Sequence, residues 1–426
     1  MRRRFIAVTT AVLATAATAV GTPPTANADL QQSKIVSTNP VNWTPHVLDG
    51  VARAVAVVGS KVVVGGNFTK VREAGTGKPE IARKNIFAFD LNTGKIDTTF
   101  APQLDGTVYA VEAGPNNTVY VGGAFANLGT TFVGSLTQLN VPAGTLVTAF
   151  KPRVGGGLVF SMARRTSGVY IGGTFTKVRG IARTVVARVN GTTGEPDPNF
   201  NLTVSTPRAG ALKVFKLAVN AQDTRLVIDG TFTQVNGQRR YQIAMIDTTA
   251  KPAALTSWST ERYAAPCNLS AFDTYMRGID FAPDGSYFVV VTTGGPGSKS
   301  TDLCDSAARW DTNKTGSGQN PTWVNLTGGD TLLVTSVTGS TVYVGGHQRW
   351  HDNPQGRDFA GPGAVARPGI ASLDPATGKA TAWNPTRTRG HGVEALVATS
   401  AGLWVASDTD ELGHEYHAKV GFFPLS

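Results

Sequence analysis

The sequence predicts an all-β fold: a single seven-bladed β-propeller in which an N-terminal strand completes the last blade. One short phrase recurs seven times, the apolar runs are short and β-rich, and the two chain ends each match part of one repeat. Short strands separated by Gly, Pro, Asn and Asp are typical of all-β proteins. A repeat of roughly 50 residues is typical of propellers.

The recurring phrase is clearest as VVVGGNFTKV at 62–71, where an apolar run ends in a glycine pair. Successive copies are spaced by roughly 50 to 62 residues, which suits a four-stranded blade with one enlarged loop. Of the other copies, two are clear, one is weaker, one is shortened and two are degenerate. They lie at 119–128, 169–178, 226–235, 342–350, 287–295 and 403–412.

The flanking residues complete each repeat. A run such as VARAVAVVGS at 51–60 precedes the phrase and predicts the innermost strand, and NIFAFDLNTGKID at 85–97 predicts the third strand and its turn. The last repeat ends at its third strand, AKVGFFPLS at 418–426, and NWTPHVLDG at 42–50 matches the fourth-strand pattern. The N-terminal segment is therefore expected to complete the last blade, which removes an exposed sheet edge.

These motifs resemble a known family. The phrase GGxFTxV, the IAR before the third strand and the turn NTGKID-TTF resemble the secreted bacterial delta-60-repeat β-propellers. The resemblance covers nearly all of the chain after residue 28. It implies the fold and no particular activity, because fold alone does not transfer chemistry. SLDPATGKATAW at 372–383 is similar to the docking motif of quinoprotein propellers, but one copy does not support a quinone cofactor.

Residues 1–28 are predicted to be a secretory signal peptide, and residues 29–426 the propeller. Arg2, Arg3 and Arg4 precede an apolar stretch, and Ala26-Asn27-Ala28 is a small-x-small cleavage pattern. A membrane anchor is the alternative, although the apolar stretch is short and rich in alanine. The protein is expected to be secreted, extracellular or associated with the cell envelope, without stable insertion into a membrane.

The net charge limits the classes of partner, and the cysteine content predicts a disulfide. The formal net charge is +10, and +7 without the three arginines of the signal peptide. This charge favours acidic polymers or anionic surfaces. Nucleic acid is not expected, because the basic residues are scattered. In an exported protein, Cys267 and Cys304 are expected to form a disulfide, and there is no CxxC pattern.

The histidines predict a site on one face. We call the face that carries the loops between second and third strands and the connections between blades the upper face. All six histidines map to this face, in the sector of blades six and seven, and loops on a rigid scaffold commonly carry function. They are His46, His347, His351, His391, His414 and His417.

The predicted binding residues are these histidines together with Arg349, Trp350 and Arg389. Histidine serves as a metal ligand or a proton-transfer group, arginine suits carboxylate or sulfate, and tryptophan offers an aromatic platform. A divalent metal is the one cofactor that this set brings into consideration. Alternatively, the histidines are polar surface residues that brace loops.

Arginine also recurs at one position of the repeat, before the third strand. Such recurrence favours a structural role over a ring of anion-binding groups. The four copies are Arg83, Arg183, Arg240 and Arg367.

No catalytic motif is present: GxSxG, HExxH, phosphate-binding and dinucleotide-binding patterns are all absent. Catalytic residues are therefore unassigned. The first hypothesis is a secreted, monomeric binding module for an extracellular carbohydrate or a protein partner. The alternative is a polysaccharide lyase or hydrolase with a His/Arg site, in which His391 and His347 are the first candidate bases. A third hypothesis is a structural protein of the cell envelope.

Overall fold

The computed structural model describes residues 30–297, 299, 301–388 and 390–425. The predicted signal peptide, residues 1–28, lies outside the described residues. The fold is all-β, and the one helical element of the described part is a 3₁₀ turn, Arg262–Ala264. Among the described residues, no helix has the length and apolar character needed to cross a membrane.

In the described part of the chain, seven main antiparallel sheets follow one another, and in each of them consecutive strands are hydrogen-bonded neighbours. Short bridges such as Phe89 with Ile96 extend several sheets by a fourth segment. We number the sheets in chain order. Their strands are Ala52–Val58, Lys61–Gly66, Ile86–Asp90; Val108–Ala113, Thr118–Gly123, Leu136–Asn140; Val159–Arg165, Gly168–Gly173, Val186–Val189; Val214–Val219, Arg225–Gly230, Ile243–Asp247, Ala254–Leu255; Met276–Phe281, Tyr287–Thr292, Ser306–Asp311, Trp323–Leu326; Leu332–Val337, Val342–Gly346, Ile370–Leu373; and Val393–Thr399, Gly402–Ser407, Val420–Pro424.

Small ribbons form in the loops between second and third strands of every sheet except the fifth, as far as the described residues show. Two of these ribbons gain a third strand from the preceding connection, namely His46–Val47 and Val204–Pro207. The ribbon strands are Lys70–Arg72 with Glu80–Ala82, Asn127–Leu128 with Thr131–Phe132, Lys177–Val178 with Ile181–Ala182, Phe232–Val235 with Gln238–Arg239, Trp350–His351 with Val365–Ala366, and Glu411–Leu412 with Glu415–Tyr416.

The first strand of each sheet, which we call the inner strand, contacts the inner strand of the next sheet. The inner strand of sheet seven likewise contacts that of sheet one. The apolar core fills the spaces between neighbouring sheets. In one such cluster Trp404 and Phe422 of sheet seven pack with Phe87 and Phe89 of sheet one.

The glycine pair of the repeated phrase permits close packing between sheets. A Cβ atom on Gly65 would lie 2.4 Å from a methyl carbon of Val108, the first residue of the next inner strand. A Cβ on Gly345 would meet Val393 in the same way, at 2.7 Å. The glycine is therefore required because the neighbouring sheet approaches closely.

The N-terminal segment lies against the third strand of sheet seven. Val36 bridges Leu425, and the N–H groups of Ser37 and Val41 donate to the carbonyl oxygens of Pro424 and Phe422 at 2.8 and 2.9 Å. The contact thus begins upstream of the segment 42–50 that the repeat pattern indicated.

Cys267 and Cys304 form a disulfide, as predicted, with their Cα atoms 5.8 Å apart. Cys267 lies in the connection into sheet five and Cys304 in the loop before its third strand. The bond therefore ties together two loops of the sheet in which the repeated phrase is degenerate.

The recurring arginines bind backbone within their own sheets. Arg83 donates to the carbonyl oxygens of Ala82 and Asp97, at 2.7 and 3.1 Å. Arg183 makes the same pair of bonds to Ala182 and Asp197. Arg240 and Arg367 likewise bond the preceding carbonyl and one further along the chain. These bonds support the structural role that the recurrence favours.

Candidate functional site

A β-bulge lies near the start of every inner strand, because the register with the second strand shifts there. A bulge re-aims the side chain of the extra residue. The seven bulged residues, which we call the bulge ring, are all half-buried. They are Arg53, Tyr109, Phe160, Phe215, Arg277, Leu333 and Glu394.

Three aromatic rings form an arc within the bulge ring. The ring centroids of Tyr109 and Phe160 are 5.2 Å apart, and those of Phe160 and Phe215 are 5.8 Å apart. A guanidinium lies at each end of the arc, with Arg53 5.6 Å from the centroid of Tyr109 and Arg277 5.2 Å from that of Phe215. Both separations are within the range of cation–π attraction.

Glu394 continues the bulge ring beside Arg53. Its carboxylate lies 3.0 Å from Arg53 Nη1 and 3.4 Å from His391 Nδ1. Burial alone would raise the pKa of Glu394, but the hydrogen bond from His391 and the charge of Arg53 outweigh it and lower that pKa. The same hydrogen bond raises the pKa of His391. The protonated form of His391 is therefore favoured up to a higher pH than for a free imidazole.

A central channel of about 210 Å³ opens at this ring and is lined by the inner strands of all seven sheets. Arg53, Tyr109, Phe160 and Glu394 lie in its wall. The inner strands begin on the upper face, so the bulge ring surrounds the upper mouth of the channel. This arrangement offers an aromatic surface and cationic groups to a narrow ligand.

Two predicted residues lie beside this mouth. His347 Nδ1 is 3.2 Å from the carbonyl oxygen of His391, and His391 in turn contacts Glu394. His391 is largely exposed, whereas His347 is half-buried. The structure thus brings together one histidine from sheet six and one from the connection into sheet seven.

His46 and His417 form a separate, buried pair beside the N-terminal segment. His417 Nδ1 lies 3.2 Å from Thr44 Oγ1, and the ring centroid of His46 lies 4.7 Å from that of Tyr416, with the two planes tilted by 56°. Burial, followed by the charges of His417 and Arg72, lowers the pKa of His46 to about 4. The low pKa favours the neutral form of His46. Burial also lowers the pKa of His417, against the raising effect of its hydrogen bond to Glu415.

The other predicted residues are distributed over the upper face. His351 is fully buried, its Nδ1 lies 2.9 Å from Asn325 Oδ1, and burial lowers its pKa to about 3. His414 is exposed and contacts Thr386.

The predicted arginine and tryptophan of sheet six contact one another. Arg349 donates two hydrogen bonds to the carboxylate of buried Asp330, both at 2.9 Å. Its guanidinium carbon lies 4.2 Å from the centroid of Trp350. Arg389 lies outside the described residues. In the part of the chain that the structure describes, no group of three or more His, Cys, Asp or Glu side chains is arranged to hold a metal ion.

Sequence reasoning missed the bulge ring, although the sequence carries a signal for it. In each inner strand an apolar residue is followed by the bulged residue. In six of the seven strands a residue without a long side chain comes next, as in the triplets ARA at 52–54, VYA at 108–110 and VFS at 159–161. An alignment of the inner strands, in place of the glycine-rich second strands, places R, Y, F, F, R, L and E at one position. That mixture of aromatic and charged residues is unusual for a structural position.

Comparison with known proteins supports the fold class. The family model of a β-propeller domain of unknown function (DUF5122) matches residues 169–200, which span the second and third strands of sheet three. This stretch resembles a β-propeller family. A search of curated proteins finds no match. A crystal structure of the computationally designed Ika8 protein is 13% identical over 92% of this chain and 99% of that chain, with a TM-score of 0.48.

Proposed function

We propose that residues 29–426 form one seven-bladed β-propeller of the delta-60-repeat type, exported by a signal peptide at residues 1–28. Two features support a closed ring of seven blades. The inner strands of the seven sheets are in successive contact, and sheet seven contacts sheet one. The segment from Val36 to Val47, bonded along the third strand of sheet seven, is the strand that completes the last blade. The disulfide is compatible with an extracellular location.

We propose that this propeller is a secreted binding module that recognises an extracellular carbohydrate on its upper face. The arc of Tyr109, Phe160 and Phe215 between Arg53 and Arg277 carries this proposal. Aromatic faces pack on the apolar faces of flat ligands, and arginine binds their polar or anionic substituents. The site lies at the mouth of the channel and reaches the predicted sector of blades six and seven through His391 and His347.

Two observations favour binding of a narrow ligand over the other hypotheses. The arc lies along one side of a channel mouth of limited size, which suits a sugar chain better than a flat protein surface. The raised pKa of His391 favours its protonated form, which suits an anion-binding group better than a general base. Turnover in the binding assay, measured as release of shortened products, would support the lyase or hydrolase alternative.

Replacement of Phe160 by alanine is expected to weaken glycan binding at least tenfold, about 1.4 kcal/mol. The reason is that Phe160 is the central ring of the arc and contacts both of its neighbours. The measurement is a screen of the mature protein on a glycan array, followed by calorimetric titration of the strongest ligand with wild type and Phe160→Ala.

Phe132→Ala is the matched control, because Phe132 is 58% exposed on the small ribbon of sheet two, away from the inner strands. It should bind as wild type does, and both variants should keep the wild-type melting temperature within a few degrees. Failure of the wild type to bind any glycan, or equal binding by Phe160→Ala, would contradict the proposal.

A further inference from the structure

One position in the channel wall is unlike its six equivalents. The residue that follows the bulge is Ala54, Ala110, Ser161, Gly278, Val334 or Ala395 in six inner strands. In sheet four it is Lys216, which follows Phe215 of the aromatic arc and lines the channel. Lys216 is therefore the one long side chain at this level of the wall.

The residue paired with Lys216 on the second strand is equally exceptional. At that position the other sheets carry Gly65, Gly122, Gly172, Val291, Gly345 and Ala406. Sheet four carries Asp229, which is fully buried. Its Oδ1 accepts a hydrogen bond from the backbone N–H of Lys216 at 2.8 Å, and its Oδ2 has no hydrogen-bond partner in the described part of the chain. Both changes occur together in one sheet.

Two cationic side chains at the channel mouth, those of Lys216 and Arg277, have no carboxylate paired with them among the described residues. Of the residues that the structure describes, none places a carboxylate within 4.0 Å of the Lys216 amine. The same is true of Arg277, which donates to the carbonyl oxygens of Thr274 and Met276. The nearby carboxylate of Glu394 is already paired with Arg53 and His391.

Lys216 is half-buried in the channel wall, where holding a cation without a close counterion is unfavourable. Burial accordingly lowers the pKa of Lys216, against the opposing effect of Glu394 and Asp229. A ligand that brought a carboxylate to the Lys216 amine would relieve this cost. The small residues at the equivalent wall positions leave space for such a group beside the lysine.

We propose that the ligand is an acidic carbohydrate, whose carboxylate enters the channel and binds Lys216 while its sugar ring packs on the aromatic arc. This inference rests on the proposed carbohydrate-binding function and names the ligand class. It assigns the main contact with the ligand's carboxylate to sheet four, on the opposite side of the arc from Arg53.

Asp229 makes this recognition pH-dependent. Burial raises the pKa of Asp229 to about 7, against the lowering effects of Lys216 and Arg277. Below that pH the carboxyl is protonated and does not compete for the lysine, whereas above it the second carboxylate repels the ligand. Affinity should therefore fall as the pH rises through 7. The other charged groups that bear on Lys216 and Asp229 are Glu394, Arg53 and Arg277, and His391 acts on Glu394.

The test uses paired glycans at fixed ionic strength: uronic acid oligosaccharides, including oligogalacturonate, and their uncharged methyl esters. Wild type is expected to bind the best acidic member at least tenfold more tightly than its ester. Lys216→Met should lose this preference while it still binds the ester, and Lys216→Arg should keep it. Lys177→Met, a control on the exposed ribbon of sheet three, should behave as wild type does. Asp229→Asn should abolish the fall in affinity between pH 6 and pH 8.

The outcomes separate the two proposals. Binding of glycans without any preference for the acidic forms, or an unchanged preference in Lys216→Met, overturns the acidic-ligand inference and leaves the carbohydrate-binding function standing. No binding of any glycan by the wild type overturns the proposed function itself. If Lys216→Met loses binding of the ester as much as binding of the acid and has a lowered melting temperature, the variant is misfolded. The preference of Lys216→Arg for the acidic glycan then decides: its retention supports the inference, and its loss overturns it.

Discussion

Trp404→Ala is expected to lower the free energy of unfolding by about 3–5 kcal/mol, the usual cost of truncating a buried aromatic residue. Trp404 is 1% exposed and lies where sheet seven, sheet one and the N-terminal segment meet. Its ring centroid is 4.5 Å from Phe422, 5.7 Å from Phe89 and 5.9 Å from Trp43. Loss of this side chain leaves a cavity at the contact between the first and last sheets.

Guanidinium denaturation followed by circular dichroism measures this loss. Trp350→Ala is the matched control, because Trp350 is half-buried on the ribbon of sheet six, and a smaller effect is expected there. A loss below about 1 kcal/mol for Trp404→Ala would mean that the contact between sheets seven and one contributes little to stability.

Simultaneous replacement of Cys267 and Cys304 by serine is expected to cost about 4 kcal/mol. The two cysteines are 37 positions apart, and in the chain-entropy model closure of a loop of that size stabilises by roughly this amount. The bond connects the entry into sheet five with the loop before its third strand, so that region should open first in the variant.

The measurement compares denaturation of wild type and variant with and without a reductant, and intact mass verifies the oxidised state. The reductant should lower the stability of wild type and leave the variant unchanged. Equal stability of wild type and variant under oxidising conditions would contradict the expected contribution of the disulfide.

The repetitive part of the fold could be predicted from the sequence because each copy of the phrase must satisfy the same packing. The glycine pair recurs in the sequence because the next inner strand approaches Gly65 and Gly345 too closely for a side chain. The disulfide could be predicted from the cysteine number together with the predicted export signal. The start of the N-terminal segment that bonds to sheet seven could not be predicted, because residues near Val36 bond through their backbone and carry no fourth-strand pattern.

The candidate site was harder to predict for a geometric reason. Topology assigns a loop to the upper face, but its distance from the channel depends on which strands flank it. His391 precedes an inner strand and lies beside the mouth, whereas His46 and His417 lie near the third strand of sheet seven. Bulges leave the alternation of apolar residues nearly intact, so the bulge ring is invisible to a search for strands. Lys216 and Asp229 stand out only when equivalent positions of all seven sheets are compared.

We propose that the ligand binds at the upper mouth of the channel. Hydrogen–deuterium exchange of the mature protein, with and without the glycan selected on the array, tests it most directly. We expect slower exchange in peptides that cover the starts of inner strands, at 50–54, 106–110, 157–161 and 212–217. Protection confined to the outer ribbons, with no change in those four peptides, would contradict it.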